Sequence, residues 1–221
     1  MIRGILYCIL ISTLFLSCHK DTTPETPKGC GFIGYRYYRG AKDTLGEMSN
    51  NYLLVAFDTT YSETDIRKFI STSKDFDQQY RYTFYGSKIT ALKFNTAKTC
   101  EEITNIIFHL QQQPIVRYAH YTIKTYNCQS PIMVPMGKLC VDVYGDLFNV
   151  QVYNEKDLTD LYKMIAATNT EFVSQNQYMK DWFTLRATKY SKGDALHMVN
   201  FFYESKLFAE TEPELGRVPV E

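Results

Sequence analysis

The chain has 221 residues, with 24 basic and 24 acidic side chains and no formal net charge. That balance gives no electrostatic reason to expect a nucleic-acid partner, whose phosphates call for a basic stripe. Once a leader is removed, the length fits one or two domains.

Arg3 gives the N-terminus a positive start, and Ile5 to Leu16 is an apolar run of twelve residues followed by Ser17-Cys18. A run this short falls well below the ~20 residues that cross a bilayer, so it reads as a secretion signal and not as a spanning helix. Leu14-Phe15-Leu16-Ser17-Cys18 has the form of a lipobox, with Phe15 where an aliphatic residue is usual. Residues 1–17 are therefore the expected lipoprotein leader and Cys18 the expected acylated residue; an ordinary signal cut near Ser17 is the alternative. Residues 18–31, rich in Thr and Pro with mixed charge, cannot bury a core and suit a flexible tether. The expectation is an envelope lipoprotein of a Gram-negative bacterium. It would be held at the outer membrane by its lipid alone, on the periplasmic face or the cell surface.

Four cysteines remain after Cys18: Cys30, Cys100, Cys128 and Cys140. In an oxidising envelope an even number suggests two disulfides, with three possible connectivities, and four free buried thiols are the other reading.

The rest of the chain repeats itself at a step of 92 to 93 residues. Tyr61-Ser62-Glu63-Thr64-Asp65-Ile66 recurs as Tyr153-Asn154-Glu155-Lys156-Asp157-Leu158, and Tyr85 with Ala91-Leu92-Lys93 recurs as Tyr178 with Thr184-Leu185-Arg186. A leading hairpin is expected in each copy, at Tyr35 to Tyr38 with Arg39-Gly40 as its turn, and at Leu139 to Tyr144 with Gly145-Asp146 as its turn. The aromatic and β-branched runs Tyr52 to Phe57 and Leu147 to Val152 predict strands. Ile66, Phe69 and Ile70, and Leu158, Leu161, Met164 and Ile165, each share one helical face, with Ser62 and Asn154 as N-caps and Asp65 and Asp157 completing capping boxes.

Alternating strands follow around a turn, Tyr80 to Tyr85 with Lys88 to Phe94, and Glu171 to Gln175 with Trp182 to Thr188. Second helices are predicted from about Thr99 to Gln113 and from about Lys192 to Ser205, and last strands at Ile115 to Thr122 and Leu207 to Thr211. Each copy thus spells β-α-β-β-α-β. The predicted class is α+β, two tandem ferredoxin-like domains, each an antiparallel sheet with two helices on one face. Their expected bounds are 32–127 and 128–213, with 214–221 a C-terminal tail. Ile66, Phe69, Leu92, Ile106, Leu110, Leu161, Ile165, Leu185, Val199 and Phe202 are the predicted core.

The sequence offers little chemistry. His19, His109, His120 and His197 have no metal-site spacing, and His109 and His197 read as helix-surface residues. No nucleophile elbow, zincin motif, phosphate loop or dinucleotide fingerprint occurs, so neither catalytic residue nor metal nor cofactor is expected. The 18 Tyr and 14 Phe are better used in a core than as a stacking platform, since no basic stripe accompanies them.

Tyr178-Met179-Lys180-Asp181-Trp182-Phe183-Thr184-Leu185, Ser191-Lys192-Gly193-Asp194-Ala195-Leu196, Phe201-Phe202-Tyr203-Glu204 and Leu207-Phe208-Ala209-Glu210-Thr211-Glu212-Pro213 resemble the propeptide of subtilisin-like serine proteases, and Tyr35-Arg36-Tyr37-Tyr38-Arg39-Gly40 resembles the opening of that region. The resemblance implies a domain whose sheet packs on two surface helices of the protease and whose C-terminal extension lies in the substrate cleft. Carried over, Pro213, Glu214, Leu215, Gly216, Arg217 and Val218 would bind that cleft, by main-chain pairing with side chains in alternate pockets. No protease domain follows in the sequence, so the implied role is inhibition or chaperoning of a subtilisin-like protease in trans. A binding or structural module that kept the fold without inhibition is the second reading, and an unrecognised enzyme the third. The tail separates the first two, because an inhibitor needs it exposed and extended.

Overall fold

The computed structural model describes residues 34–125, 128 and 138–220. Cys18, Cys30 and the expected leader and tether lie outside them. In chain order the elements are β1 (Tyr35–Tyr38), β2 (Ala41–Thr44), β3 (Met48–Phe57), α1 (Glu63–Thr72), β4 (Ile89–Lys93), α2 (Cys100–Gln111), β5 (Val116–Lys124), β6 (Cys140–Gln151), α3 (Thr159–Thr168), β7 (Glu171–Gln175), β8 (Trp182–Arg186), α4 (Ala195–Glu204) and β9 (Glu210–Pro219). The class is mixed α and β: four helices against one antiparallel seven-stranded sheet, with β1 and β2 forming a separate hairpin.

Local chemistry explains most boundaries. Arg39 and Gly40 both adopt left-handed φ, 50° and 77°, the paired positive angles that let a two-residue turn follow the twist of its strands. Ser62 caps α1 in a reciprocal box with Asp65, and Thr99 caps α2 with Glu102, each pair satisfying two otherwise orphaned N–H groups. Asn154 does not play this part for α3. Its side chain accepts from Lys156 N at 3.0 Å and Asp157 accepts from Thr159 N at 3.1 Å. These local turns compete with the helix and delay its start to Thr159.

The two repeats meet edge to edge without interleaving. The first contributes β4-β3-β5 and the second β9-β6-β8-β7, joined where Ile123 and Lys124 of β5 pair with Asp142 and Val141 of β6. The strand expected at Tyr80 to Tyr85 is not formed; only the isolated bridges Phe76 to Phe94 and Tyr85 to Ile89 remain along β4. Side-chain docking replaces the ladder there. Phe84 packs edge-on against Phe57, Arg67 lies over the rings of Tyr82 and Phe84, and Tyr80 donates its hydroxyl to the Val220 carbonyl at 3.0 Å.

Two further expectations are corrected. Gly145-Asp146 is not a hairpin turn: β6 runs through it for twelve residues, with a register irregularity between Tyr144 and Phe148. The last strand does not stop at Thr211. It continues to Pro219, with Leu215, Gly216, Arg217, Val218 and Pro219 facing Tyr144, Val143, Asp142, Val141 and Cys140.

Three apolar clusters account for these paths. Leu53, Val55, Phe57, Ile66, Leu92, Ile103 and Val116 bury one face of the first repeat under α1 and α2. Phe148, Val150, Leu161, Phe183, Leu185, Val199 and Phe202 do the same under α3 and α4. Of the predicted core, Phe69, Ile106 and Ile165 pack only partly buried at the margins. The third cluster was not foreseen: Leu54, Ala56, Ala91 and Tyr118, on the other face of the first repeat, meet Val141, Val143, Val218 and Val220. Burying Val218 and Val220 there stabilises the end of β9 by roughly 2 kcal/mol each, which is why the chain continues as strand past Thr211.

Candidate functional site

Along one edge β6 pairs first with β5, at Val141 and Asp142, and then with β8, from Leu147 to Gln151. Between the two partners the sheet forks, and the fork falls on Gly145 and Asp146. Asp146 is buried, and its Oδ2 stands 3.4 Å from Arg117 Nε of β5 and 3.3 Å from Arg186 Nε of β8. One carboxylate thus clamps a guanidinium from each repeat. Neither Nε is aligned for a hydrogen bond, so the pairing is ionic and not directional. Arg186 also reaches Glu171 of β7 at 3.6 Å.

Behind the clamp a stack of rings crosses the junction. Tyr118 lies on His120 and His120 on Tyr144, each at 4.6 Å between centroids. His120 is fully enclosed, and burial holds its pKa below the usual value against the opposing pull of Asp194, the Tyr144 carbonyl and Asp146. Its Nδ1 lies 3.1 Å from the Tyr144 carbonyl; a carbonyl only accepts, so Nδ1 carries the proton of the neutral ring. The Tyr144 hydroxyl donates to Asp194, which caps α4 through His197 N. Burial foremost, then Asp146, pushes the Tyr118 phenol up to about 12, with Arg117 opposing.

In front of the clamp lies a cleft of about 410 Å³, floored by Leu54, Tyr118, Val143 and Val218 and walled by Tyr85-Gly86-Ser87 and Leu215. Leu147, Arg186 and Glu214 also line it, and strand alternation places these three on the sheet face of the second repeat that its helices leave uncovered. The same face carries Asn149, Gln151, Trp182, Thr184, Glu210 and Glu212. Thr184 donates to Asn149 at 2.8 Å, and Gln151 donates to Asp181 at 2.6 Å, fixing the centre of the surface. Among the described residues the result is a platform: an open, polar sheet with an acidic margin, ending in an apolar cleft at the wall of the first repeat. The equivalent face of the first repeat is closed by β6 and β9.

The sequence-predicted site residues sit as follows. Pro213 pairs opposite Phe148 on the helix side, Glu214 and Leu215 reach the cleft, and Val218 is buried. Arg217 grips Asp142, with Nη2 to Oδ2 at 3.0 Å. Cys128 and Cys140 form a disulfide with their Cα atoms 5.6 Å apart, and Cys100 is also disulfide-bonded. Asp146, Arg117, Arg186 and His120 were not singled out by sequence. The one signal available was a Gly-Asp pair inside an otherwise apolar, alternating run. Among the described residues no group of His, Cys, Asp and Glu could hold a metal ion, and no helix is long and apolar enough to cross a membrane. No family model and no curated protein matches the chain.

Proposed function

We propose that the chain is a non-enzymatic, lipid-anchored envelope protein built from two tandem ferredoxin-like modules, which binds another protein on the open sheet face of its second module. The observation that carries this is the asymmetry between the repeats, since among the described residues the first repeat's sheet is covered on both sides while the second's is bare on one. A sheet-on-helix contact would lay partner helices across Trp182, Thr184 and Asn149 and place their N-terminal ends, which attract carboxylates, near Glu210, Glu212 and Glu214. The cleft at the fork would take one apolar side chain, the usual anchor of such an interface. The resemblance to subtilisin propeptides makes a subtilisin-like serine protease the partner class of choice.

The pairing of residues 215–219 with β6, and the burial of Val218 and Val220, support a binding module over an inhibitor that offers its tail. Cleft insertion by Glu214 to Val218 would require that strand to peel away. The test measures binding and inhibition together, for the mature protein against a panel of subtilisin-like proteases, with the double variant Thr184→Arg/Glu212→Arg. The expected outcome is binding by the parent protein that falls by about 2 kcal/mol or more in the variant, with little inhibition. Binding untouched by the variant would remove the face from consideration, and inhibition lost on Leu215→Ala alone would restore the tail.

A further inference from the structure

The end of the second module where β6 finishes and β8 and β9 begin has an unusual surface. Val152 N bonds to Asp181 O and Ala209 N to Gln151 O, which gathers the loops after β6, before β8 and before β9 at one end. The β1–β2 hairpin joins them, because Tyr37 stacks on Tyr203 near the C-terminus of α4 and Lys206 lies over the same ring. Each loop exposes a large apolar side chain beside a cation: Tyr153 with Lys156, Tyr178 and Met179 with Lys180, Leu207 with Lys206, and Tyr38 with Arg39. Tyr178 is 87% exposed and Tyr153 71%. Glu155 and Asp157 share the first of these loops, and Glu204, held by Tyr35 and Tyr37, stands behind the hairpin.

We infer that this end is a membrane-facing surface, and that its partner is the headgroup region of a lipid bilayer. The side chains project from separate turns and do not form the continuous apolar face that a protein partner covers. Tyrosine with flanking lysine or arginine is the pairing that settles at a membrane interface, ring among the headgroups and cation toward phosphate. The inference rests on the lipid anchor read at Cys18. The segment from Cys18 to Gly34 spans at most about 58 Å, so a weak surface affinity suffices to orient a body already confined near the bilayer. Seated this way, the molecule would stand on its loops with the platform facing sideways.

The test uses the mature chain from Cys18, its thiol joined to a maleimide lipid in vesicles of phosphatidylethanolamine and phosphatidylglycerol. Hydroxyl-radical oxidation is then read residue by residue against the uncoupled chain. Tyr153, Tyr178 and Met179 should be protected about fivefold on the vesicle, while Tyr190, equally tyrosine-and-lysine in character but on the loop between β8 and α4, should be oxidised as before. Lys180→Glu/Lys206→Glu should reduce the protection. Equal oxidation of Tyr178 with and without coupling, or equal protection of Tyr190, overturns the inference. With no protein partner present, either result leaves the partner-binding reading untouched.

Discussion

His120 is the side chain on which acidity should act first. Its folded pKa lies below the usual 6.5 because burial disfavours the imidazolium. Below pH 6.5 the unfolded chain therefore takes up a proton that the folded chain refuses. The associated stability is full above that pH and is lost as pH falls toward the folded value. The carboxylates with lowered pKa values, among them Asp58, Asp65 and Glu102, titrate at more acid pH, which leaves the window from 6.5 down to about 5 to the histidine. His120→Gln should flatten the loss of stability across that window, as measured by urea denaturation at its two ends. Asp146 is the other decisive residue. Asp146→Asn leaves Arg117 and Arg186 without the carboxylate they share, with Glu171 still beside Arg186, and should cost about 2 kcal/mol, below the usual range for a broken buried pair because both guanidiniums reach solvent. In the double variant with Arg117→Gln the two effects should fall short of additive, which a denaturation cycle reads directly.

At the scale of elements, what the sequence conveyed depended on how local the cause was. Helix α1 was legible because Ser62 and Asp65 specify its start within four residues, and β7 because Glu171 to Gln175 lies between clear turns. Strand β9 was not. Val218 and Val220 are ordered by Leu54, Ala56 and Tyr118, far away in sequence, and nothing near Glu212-Pro213 announces this. The same reason hid the fork. Gly145-Asp146 has turn chemistry, yet Arg117 and Arg186 draw Asp146 inward, and β6 continues through it. A chain ended after Pro213 should therefore be damaged in its first repeat. We expect a loss of several kcal/mol, on the order of the burial of two valines and the Arg217–Asp142 pair together, with dye binding to the uncovered face of Leu54 and Val143. An undisturbed melting curve would refute this role for β9.

For the molecule as a whole, the shared sheet, the clamp at Asp146 and the third apolar cluster tie the repeats into one unit. Lys189 adds to this by donating to the carbonyls of Gln113 and Val116 across the junction, both at 3.1 Å. Thermal unfolding should be a single transition with equal calorimetric and van't Hoff enthalpies, and two resolved transitions would show the repeats to be independent. Removing the Cys128–Cys140 disulfide by the double variant Cys128→Ser/Cys140→Ser, which opens a loop of sequence separation 12 and leaves the disulfide at Cys100 in place, should lower the stability by about 3 kcal/mol in the loop-entropy account.

The route of β9 also governs when the protein can mature. A chain made N-terminus first delivers β3, β4 and β5 early, but the strip of apolar surface on Leu54, Ala56 and Ala91 is covered only in part by Val141 and Val143 until Val218 and Val220 arrive. Contacts this distant in sequence form slowly and late. The first repeat is therefore kept open until the last residues of the chain are made and can be completed only then. Until then, its exposed strip is the part most in need of protection from other chains.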